Sequence, residues 1–339
     1  MPLLPRPSLR ALSWAYLVGA ALAAGMLWGL GDVWWPATVL LFIGRWVLLL
    51  PLVLLVPVAV MRAPRLLVPL AMGALVVVGP VMGFRTGMGA PAQPPAGTPL
   101  RIVSFNLNGG DAIAFVLDQI LDEWEADVVA LQECGSAMHA ATRRLEGWFV
   151  HGVRRLCFLS RYPIVDTAVM DRRAFAISEA AGPAGIGGAA DVARYRITTP
   201  AGPLNVTNLH LETPRKGLQG ALEGTLNVTK LSENTLLRRF EAEHASRWVN
   251  DGGVPLVVAG DFNTPVESRI FRANWGSFVN AFSQVGRGFG ATRLNGWIRV
   301  RIDHVLTLGN VSPVRVSLGR PLESDHLPVI ADLVITGER

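Results

Sequence analysis

Three runs with almost no charge open the chain, and they limit what its first quarter can become. Ala11 to Leu30 carries no charge and is long enough to cross a bilayer as a helix. Ala37 to Met61 is equally apolar apart from Arg45, and Leu66 to Phe84 is again uncharged. Runs this long exceed what a soluble core helix needs. Residues 1–84 are therefore expected to form a membrane anchor of three transmembrane helices, joined at Gly31-Asp32 and at Arg62-Ala63-Pro64-Arg65. Trp28, Trp34 and Trp35 cluster at the first junction, as interfacial aromatics do. For the first run a cleavable signal peptide is the alternative, with Arg6 and Arg10 as its basic end, but two more apolar runs follow. Arg45 either snorkels toward the interface beside Trp46 or marks a second run that does not fully cross.

Orientation follows from the basic residues. Arg6 and Arg10 precede the first run and Arg62 and Arg65 separate the second from the third, while the loop between the first two has only Asp32. The positive-inside rule puts the N-terminus and the second loop in the cytoplasm and everything after Phe84 outside. The expectation is a multi-pass cell-membrane protein with its large domain on the periplasmic or extracellular side. If Arg45 blocks the second crossing, the orientation inverts.

Residues 85–99 hold seven Gly or Pro, a composition expected to give a semi-extended linker that does not pack. Residues 100–339 show no second composition break and are expected to form one catalytic-sized domain. The net charge of +5 belongs to the front: residues 1–99 carry six Arg and one Asp, and residues 100–339 carry 25 basic and 25 acidic side chains. The charge balance is thus no nucleic-acid footprint. Arg215-Lys216 and Arg238-Arg239 are local basic pairs, for which solvated faces are the simpler reading. Cys134 and Cys157 are too few for a zinc framework. Outside the cytoplasm they could pair, and buried free thiols are the alternative.

Within residues 100–339 short apolar runs of strand character recur, and polar residues stand at their ends. Leu256 to Gly260 leads into Asp261-Phe262-Asn263, where period two puts the carboxylate and the amide on one side and Phe262 on the other. Alone, such an Asp-x-Asn is an ordinary turn. Asn106 follows Leu100–Phe105, Glu133 follows Asp127–Gln132, His210 closes Leu204–Leu209, Asp303 lies in Arg301–Leu306, and Asp325-His326 precede Val329–Ile335. Ala112–Trp124, Ala137–Leu145 and Asn234–Val249 have helical spacing. The oxygen donors Asn106, Glu133 and Asp325 suit Mg²⁺, a hard cation that takes few protein ligands. His304 directly follows Asp303 and points the opposite way along a strand, so it is expected to be non-catalytic.

Ser104-Phe105-Asn106, Leu131-Gln132-Glu133, Leu159 to Ile164, Asn208-Leu209-His210, Gly260-Asp261-Phe262-Asn263, Arg301 to His304 and Ser324 to Pro328 together resemble the endonuclease/exonuclease/phosphatase superfamily, over residues 100–336 and in family order. The resemblance implies a four-layer α/β sandwich of two packed mixed β-sheets flanked by helices. It implies a Mg²⁺-dependent phosphodiesterase or phosphatase, with Mn²⁺ as a substitute. By position, Glu133 resembles the principal metal ligand, with Asn106 and Asp325 near the metal. Asp261 resembles the residue that orients or deprotonates the attacking water, and Asn263 a phosphate or water positioner. His210 resembles a phosphate-contacting donor, and His326 a second His held by Asp303. His210 aligns the chain with the deoxyribonuclease and sphingomyelinase branches rather than the abasic-site endonucleases. The strand expected to supply its acidic partner, within Arg154–Arg161, has no acid. Glu212–Glu233 after His210 is either a lid or an exposed insertion, the latter being favoured.

Three functions stay open at this stage. They are a membrane-anchored phosphodiesterase acting on nucleic acid, the same chemistry on a lipid or sugar phosphate, and an inactive domain used for binding. No protein partner follows from the sequence.

Overall fold

Two six-stranded mixed sheets pack face to face in the computed structural model, which describes residues 6–337 apart from 94, 111, 172–189 and 222–223. One sheet runs in the order Val311–Leu318, Val329–Ile335, Thr98–Asn106, Val128–Gln132, Leu156–Ser160, Phe149–Val153. The other runs Val279–Asn280, Asp303–Leu308, Leu256–Asp261, Gly202–His210, Asp191–Thr199, Ile164–Val169. Each sheet has a single parallel pair, at its centre: Thr98–Asn106 with Val128–Gln132, and Gly202–His210 with Leu256–Asp261. All other pairings within the two sheets are antiparallel.

The alternation read from the sequence sorts side chains into layers. Ile102, Val128, Phe158, Tyr195, Val206, Val257 and Leu333 fill the space between the sheets. Val103, Phe105, Val129 and Leu131 face outward under Leu117, Ile120 and Trp124 of the helix Leu117–Trp124. Leu209, Val258 and Leu306 face outward beneath Ala242, Ala245 and Val249 of the helix Val228–Asn250. Helix, sheet, sheet, helix is the four-layer sandwich. Cys134 and Cys157 are joined as a disulfide, their Cα atoms 6.1 Å apart.

The front of the chain departs from expectation in two places. The apolar run Ala37–Met61 is not one helix. It divides into Trp35–Phe42, whose Leu40, Leu41 and Phe42 are buried, and a second helical stretch that starts at Arg45. The division falls where Arg45 needs partners. Its Nη1 lies 3.2 Å from Glu267 Oε2 and donates to Val81 O, and its Nη2 donates to Leu41 O. Gly44 allows the close approach, since a Cβ there would sit 2.5 Å from the Trp297 ring. Helices at Ser8–Leu30, Arg45–Arg62 and Pro64–Val81 remain long and apolar enough to cross a membrane.

Residues 85–99 are likewise pinned rather than free. Arg85–Thr86 pairs antiparallel with Arg287–Gly288, Ala90 packs against the central core, and Thr98 already belongs to a sheet strand. The apolar front and the sandwich are therefore held together by side-chain contacts. Leu27, Leu41, Phe42 and Val81 pack with Val300 and Ile302, and Asp32 lies buried with its Oδ1 3.3 Å from Arg238 Nη1.

Candidate active site

Parallel pairing brings strand ends together on one side, and both sheets use it at the same edge. His210 stands level with Asp261 in one parallel register, and Asn106 with Gln132, next to Glu133, in the other. Asp303 opens an antiparallel strand level with Asp261. Gly260 precedes Asp261 with φ +154°, and a Cβ there would meet Leu209 O at 2.0 Å, so only glycine lets the two strands close here. Glu133 (φ 55°) and Asn263 (φ 50°) take left-handed backbone conformations just past their strands. Such strain in non-glycine residues collects at functional sites.

Most of the residues picked from sequence meet at this edge. Asn106 Nδ2 donates to Asp261 Oδ2 at 2.9 Å and to Glu133 Oε1 at 3.3 Å. His210 Nε2 lies 3.7 Å from Glu133 Oε1 and 3.8 Å from Asp261 Oδ2. The acidic company of His210 thus comes from the neighbouring strand ends, not from Arg154–Arg161. Asp303 grips His326 Nδ1 with Oδ2 at 2.9 Å and Oδ1 at 3.1 Å. His326 Nε2 then points at Asp261 Oδ2, 3.9 Å away. Asn263 is held in place: its N–H donates to Asp261 Oδ1 and its Nδ2 to Leu211 O, both at 2.8 Å. Asp325 accepts from Arg293 Nε and Nη2 at 3.2 and 3.0 Å. His304 faces the other way, with Nε2 3.0 Å from Thr264 O among Phe262 and Phe271.

Burial and charge set the protonation of the centre. Burial, then the neighbouring Asp303 charge, push the Asp261 carboxyl up to about 6. Burial alone would lower His326, but Asp303, Asp261 and Asp325 outweigh it and hold it up to about 9. The pair Asp261 and His326 is therefore set up as a carboxyl that gives and takes a proton near neutral pH beside an imidazolium.

Several lining residues carried no clear signal in the sequence. A cavity of about 180 Å³ over these groups is also lined by Asn108, Arg155, Thr213, Arg215, Lys216 and Arg293. Arg155 Nη2 donates to Glu133 Oε2 at 2.7 Å. Arg215 and Lys216 begin the short helix Arg215–Leu218, so the segment after His210 is not a detached insertion. Glu212 within it is buried, and Asn234 Nδ2 donates to Thr213 O at 3.0 Å. Residues 222–223 of that segment lie outside the described residues. The basic pair had been visible, but nothing in its spacing distinguished a site wall from a solvated face.

The donor set fits a hard divalent cation. Asp261, Asp303 and His326 bring three donor atoms within 4.8 Å of one another. His326 commits its Nδ1 to Asp303. The carboxylate and amide oxygens of Glu133, Asn106 and Asp325 are better suited, and Asp325 Oδ1 is a buried oxygen without a hydrogen-bond partner.

The sequence pattern of the Endonuclease/Exonuclease/phosphatase family matches residues 103–326, well over half of the chain. The chain belongs to the endonuclease/exonuclease/phosphatase family. Among solved structures the fold is similar to TDP2 of D. rerio complexed with a single-strand DNA product. That match has TM-score 0.52 and 17% identity, over 70% of this chain and 99% of that one. It is also similar to truncated TDP2 of Caenorhabditis elegans, with TM-score 0.51 and 14% identity, over 70% of this chain and 97% of that one. At such identities the likeness is one of fold. No curated protein matches the chain. Enzymes of the endonuclease/exonuclease/phosphatase family are phosphoesterases that generally use divalent metal ions, and the polar edge described above lies within the matched residues.

Proposed function

We propose that the chain is a membrane-anchored, Mg²⁺-dependent hydrolase of phosphate esters, able to use Mn²⁺ in its place. The carrying observation is one cavity lined by Asp261, Glu133, His210 and His326, with Arg155, Arg215, Lys216 and Arg293 around it, in which Asp303 holds His326 and Asn106 joins Asp261 to Glu133. Arg155, Arg293 and Lys216 are paired with Glu133, Asp325 and Glu212, and together with Arg215 they make a place for an anionic group.

Glu133, Asn106 and Asp325 would hold the Mg²⁺. When bound, the ion supplies positive charge against the phosphoryl oxygens. Asp261, with Asn263 fixed to its Oδ1, orients a water in line with phosphorus and accepts its proton. His210 and His326 donate to the phosphoryl oxygens as negative charge builds there. The water oxygen bonds to phosphorus as the ester P–O bond breaks. The leaving oxygen departs opposite the attacking water and takes a proton from solvent, while His326, which Asp303 holds in position, keeps its proton on the phosphoryl oxygen. Asp261 then releases the proton captured from water to solvent.

The anchor reading draws support from which ends of the helices meet the sandwich. Asp32, Arg45 and Val81 all lie against it. Leu9 packs with Leu55, Ala59 and Leu70 at the far end, where Arg10, Arg62 and Arg65 belong. A helix of 18 residues separates the two ends by about 27 Å. With the basic end in the cytoplasm, the catalytic domain is outside.

The test is a panel of phosphodiesters and phosphomonoesters offered to the full chain with Mg²⁺, with Mn²⁺ and with chelator. Hydrolysis is expected with either metal and not with chelator. Asp261→Asn is expected to lower kcat by about 10²–10⁴-fold with little change in the Mg²⁺ concentration needed. Glu133→Gln is expected mainly to raise that concentration. The opposite pattern would exchange the two roles, and a wild type inert on every ester would favour a domain that only binds.

A further inference from the structure

A second and larger cavity, of about 420 Å³, adjoins the polar one. Arg215, Lys216 and Arg293 line both, so the two share a cationic wall. Beyond that wall the lining changes character. Val39, Phe42 and Ile43 come from the short helix Trp35–Phe42 and its exit, Leu218 from the segment after His210, and Ile298 and Val300 from the second strand of the hairpin that Arg293 opens. Phe42 and Val300 also pack with Leu27 and Val81, the ends of two helices apolar enough to cross a membrane. The polar chamber thus shares a wall of three basic residues with an apolar one that lies at the level of the proposed membrane surface.

We propose that the apolar cavity holds the hydrocarbon chain of the substrate, so that the enzyme acts on phosphate esters of lipid character, carrying one long alkyl, acyl or prenyl chain. This rests on the phosphoesterase reading above and narrows it. The volume lies within the range of single-ligand pockets, about 300–1,000 Å³. A single-stranded nucleic acid is held on aromatic stacking faces along a basic groove, and among the described residues Phe42 is the one aromatic side chain lining this cavity. A sugar would need several buried hydrogen-bonding groups, and the walls away from the cations are chiefly aliphatic. The helix Trp35–Phe42 is then part of the substrate site rather than a connection between membrane helices. The sandwich alone would have half a pocket.

The experiment compares p-nitrophenyl methyl phosphate with p-nitrophenyl dodecyl phosphate, hydrolysed by the full chain with Mg²⁺ in a maltoside detergent that carries no phosphate. A single-stranded oligonucleotide forms a third arm. The dodecyl ester is expected to show at least a hundredfold higher kcat/KM than the methyl ester, which needs only about four buried methylenes. Val39→Trp and Ile298→Trp fill the cavity from two separate elements, and each is expected to cut that ratio tenfold or more. Their melting temperatures check that they fold. A ratio near one in wild type, a ratio unmoved in both folded variants, or faster cleavage of the oligonucleotide than of the dodecyl ester would overturn the lipid assignment while leaving the phosphoesterase intact. Hydrolysis of none of the three would instead overturn the phosphoesterase reading. Binding of dodecyl phosphate would then decide the cavity: saturable binding weakened by Val39→Trp supports it, and absence of binding overturns it.

Discussion

Two histidines 22 positions apart in the chain show how environment, rather than residue type, assigns a role. His326 faces three carboxylates and is held as a cation. His304 is buried between aromatic rings beside the Arg301 cation. Burial first, and then Arg301, lower its pKa to about 3. That depression has a stability consequence with a definite sign. Below about pH 6.5 the unfolded chain binds a proton at His304 that the folded chain refuses. The contribution of His304 to stability is therefore complete above that pH and is lost as pH falls toward about 3, by up to about 1.4 kcal/mol per unit. Thermal melting of the full chain in detergent between pH 7 and pH 4.5 should show a steep acid-side fall. His304→Gln, whose amide can still donate to Thr264 O, should flatten it. An unchanged slope in the variant would place the acid sensitivity elsewhere. Asp261 contributes with the opposite sign, since its raised pKa favours the folded chain as pH falls, so the comparison of variant with wild type isolates His304.

At the scale of elements, the second apolar run divides because a buried charge outweighs helix continuity. A guanidinium in an apolar stretch needs an acid within reach, and Glu267 of the sandwich supplies it at 3.2 Å. Burial would raise the Glu267 carboxyl, but Arg45 and Arg301 outweigh it and hold it below its ordinary range. Removing one partner strands the other. Glu267→Ala is expected to destabilise the protein by about 3–5 kcal/mol. Replacing both, as Arg45→Met with Glu267→Met, should restore much of the loss, because the charge and its desolvation penalty leave together. Melting temperatures of the two single variants and the double variant test this. Additive losses in the double variant would show that the pair does not act as a unit. The parallel pairs act at the same scale. Each delivers two strand C-terminal ends side by side, which is how Asn106 and Glu133, and His210 and Asp261, come to share one edge.

At the scale of the whole molecule, the apolar front and the sandwich form one packed unit. Asp32 reaches Arg238, Arg45 reaches Glu267, and Trp46 Nε1 donates to Trp297 O at 3.0 Å. Arg238 in turn donates to Asn263 O at 3.2 Å, beside the candidate site. Packing of Asp32, Arg45 and Val81 against the sandwich leaves the basic loop Arg62–Arg65 at the other end, so the whole assembly has one orientation to choose. A C-terminal alkaline phosphatase fusion should be active and a C-terminal β-galactosidase fusion inactive. The reverse result would put the sandwich in the cytoplasm.

Much of this was legible in the linear chain because it depends on local periodicity and local chemistry. Short apolar runs that end in polar residues marked the strands that carry Asn106, His210 and Asp261, and the long apolar runs marked the front of the molecule. The motifs named the acids and histidines that meet at this edge, while the parallel pairing that brings them there did not follow from the motifs. What the sequence left open depends on contacts between residues far apart in it. Arg155 beside Glu133, Arg293 beside Asp325, and Arg215 and Lys216 at the cavity wall have no periodicity of their own, and their roles exist only once the sheets pack. The same holds for residues 85–99, whose glycines and prolines read as loose until partner strands fixed them. It holds most for Arg45. An isolated charge in an apolar run signals a problem, and only the tertiary structure, by bringing Glu267 to it across 222 residues, shows how the problem is resolved.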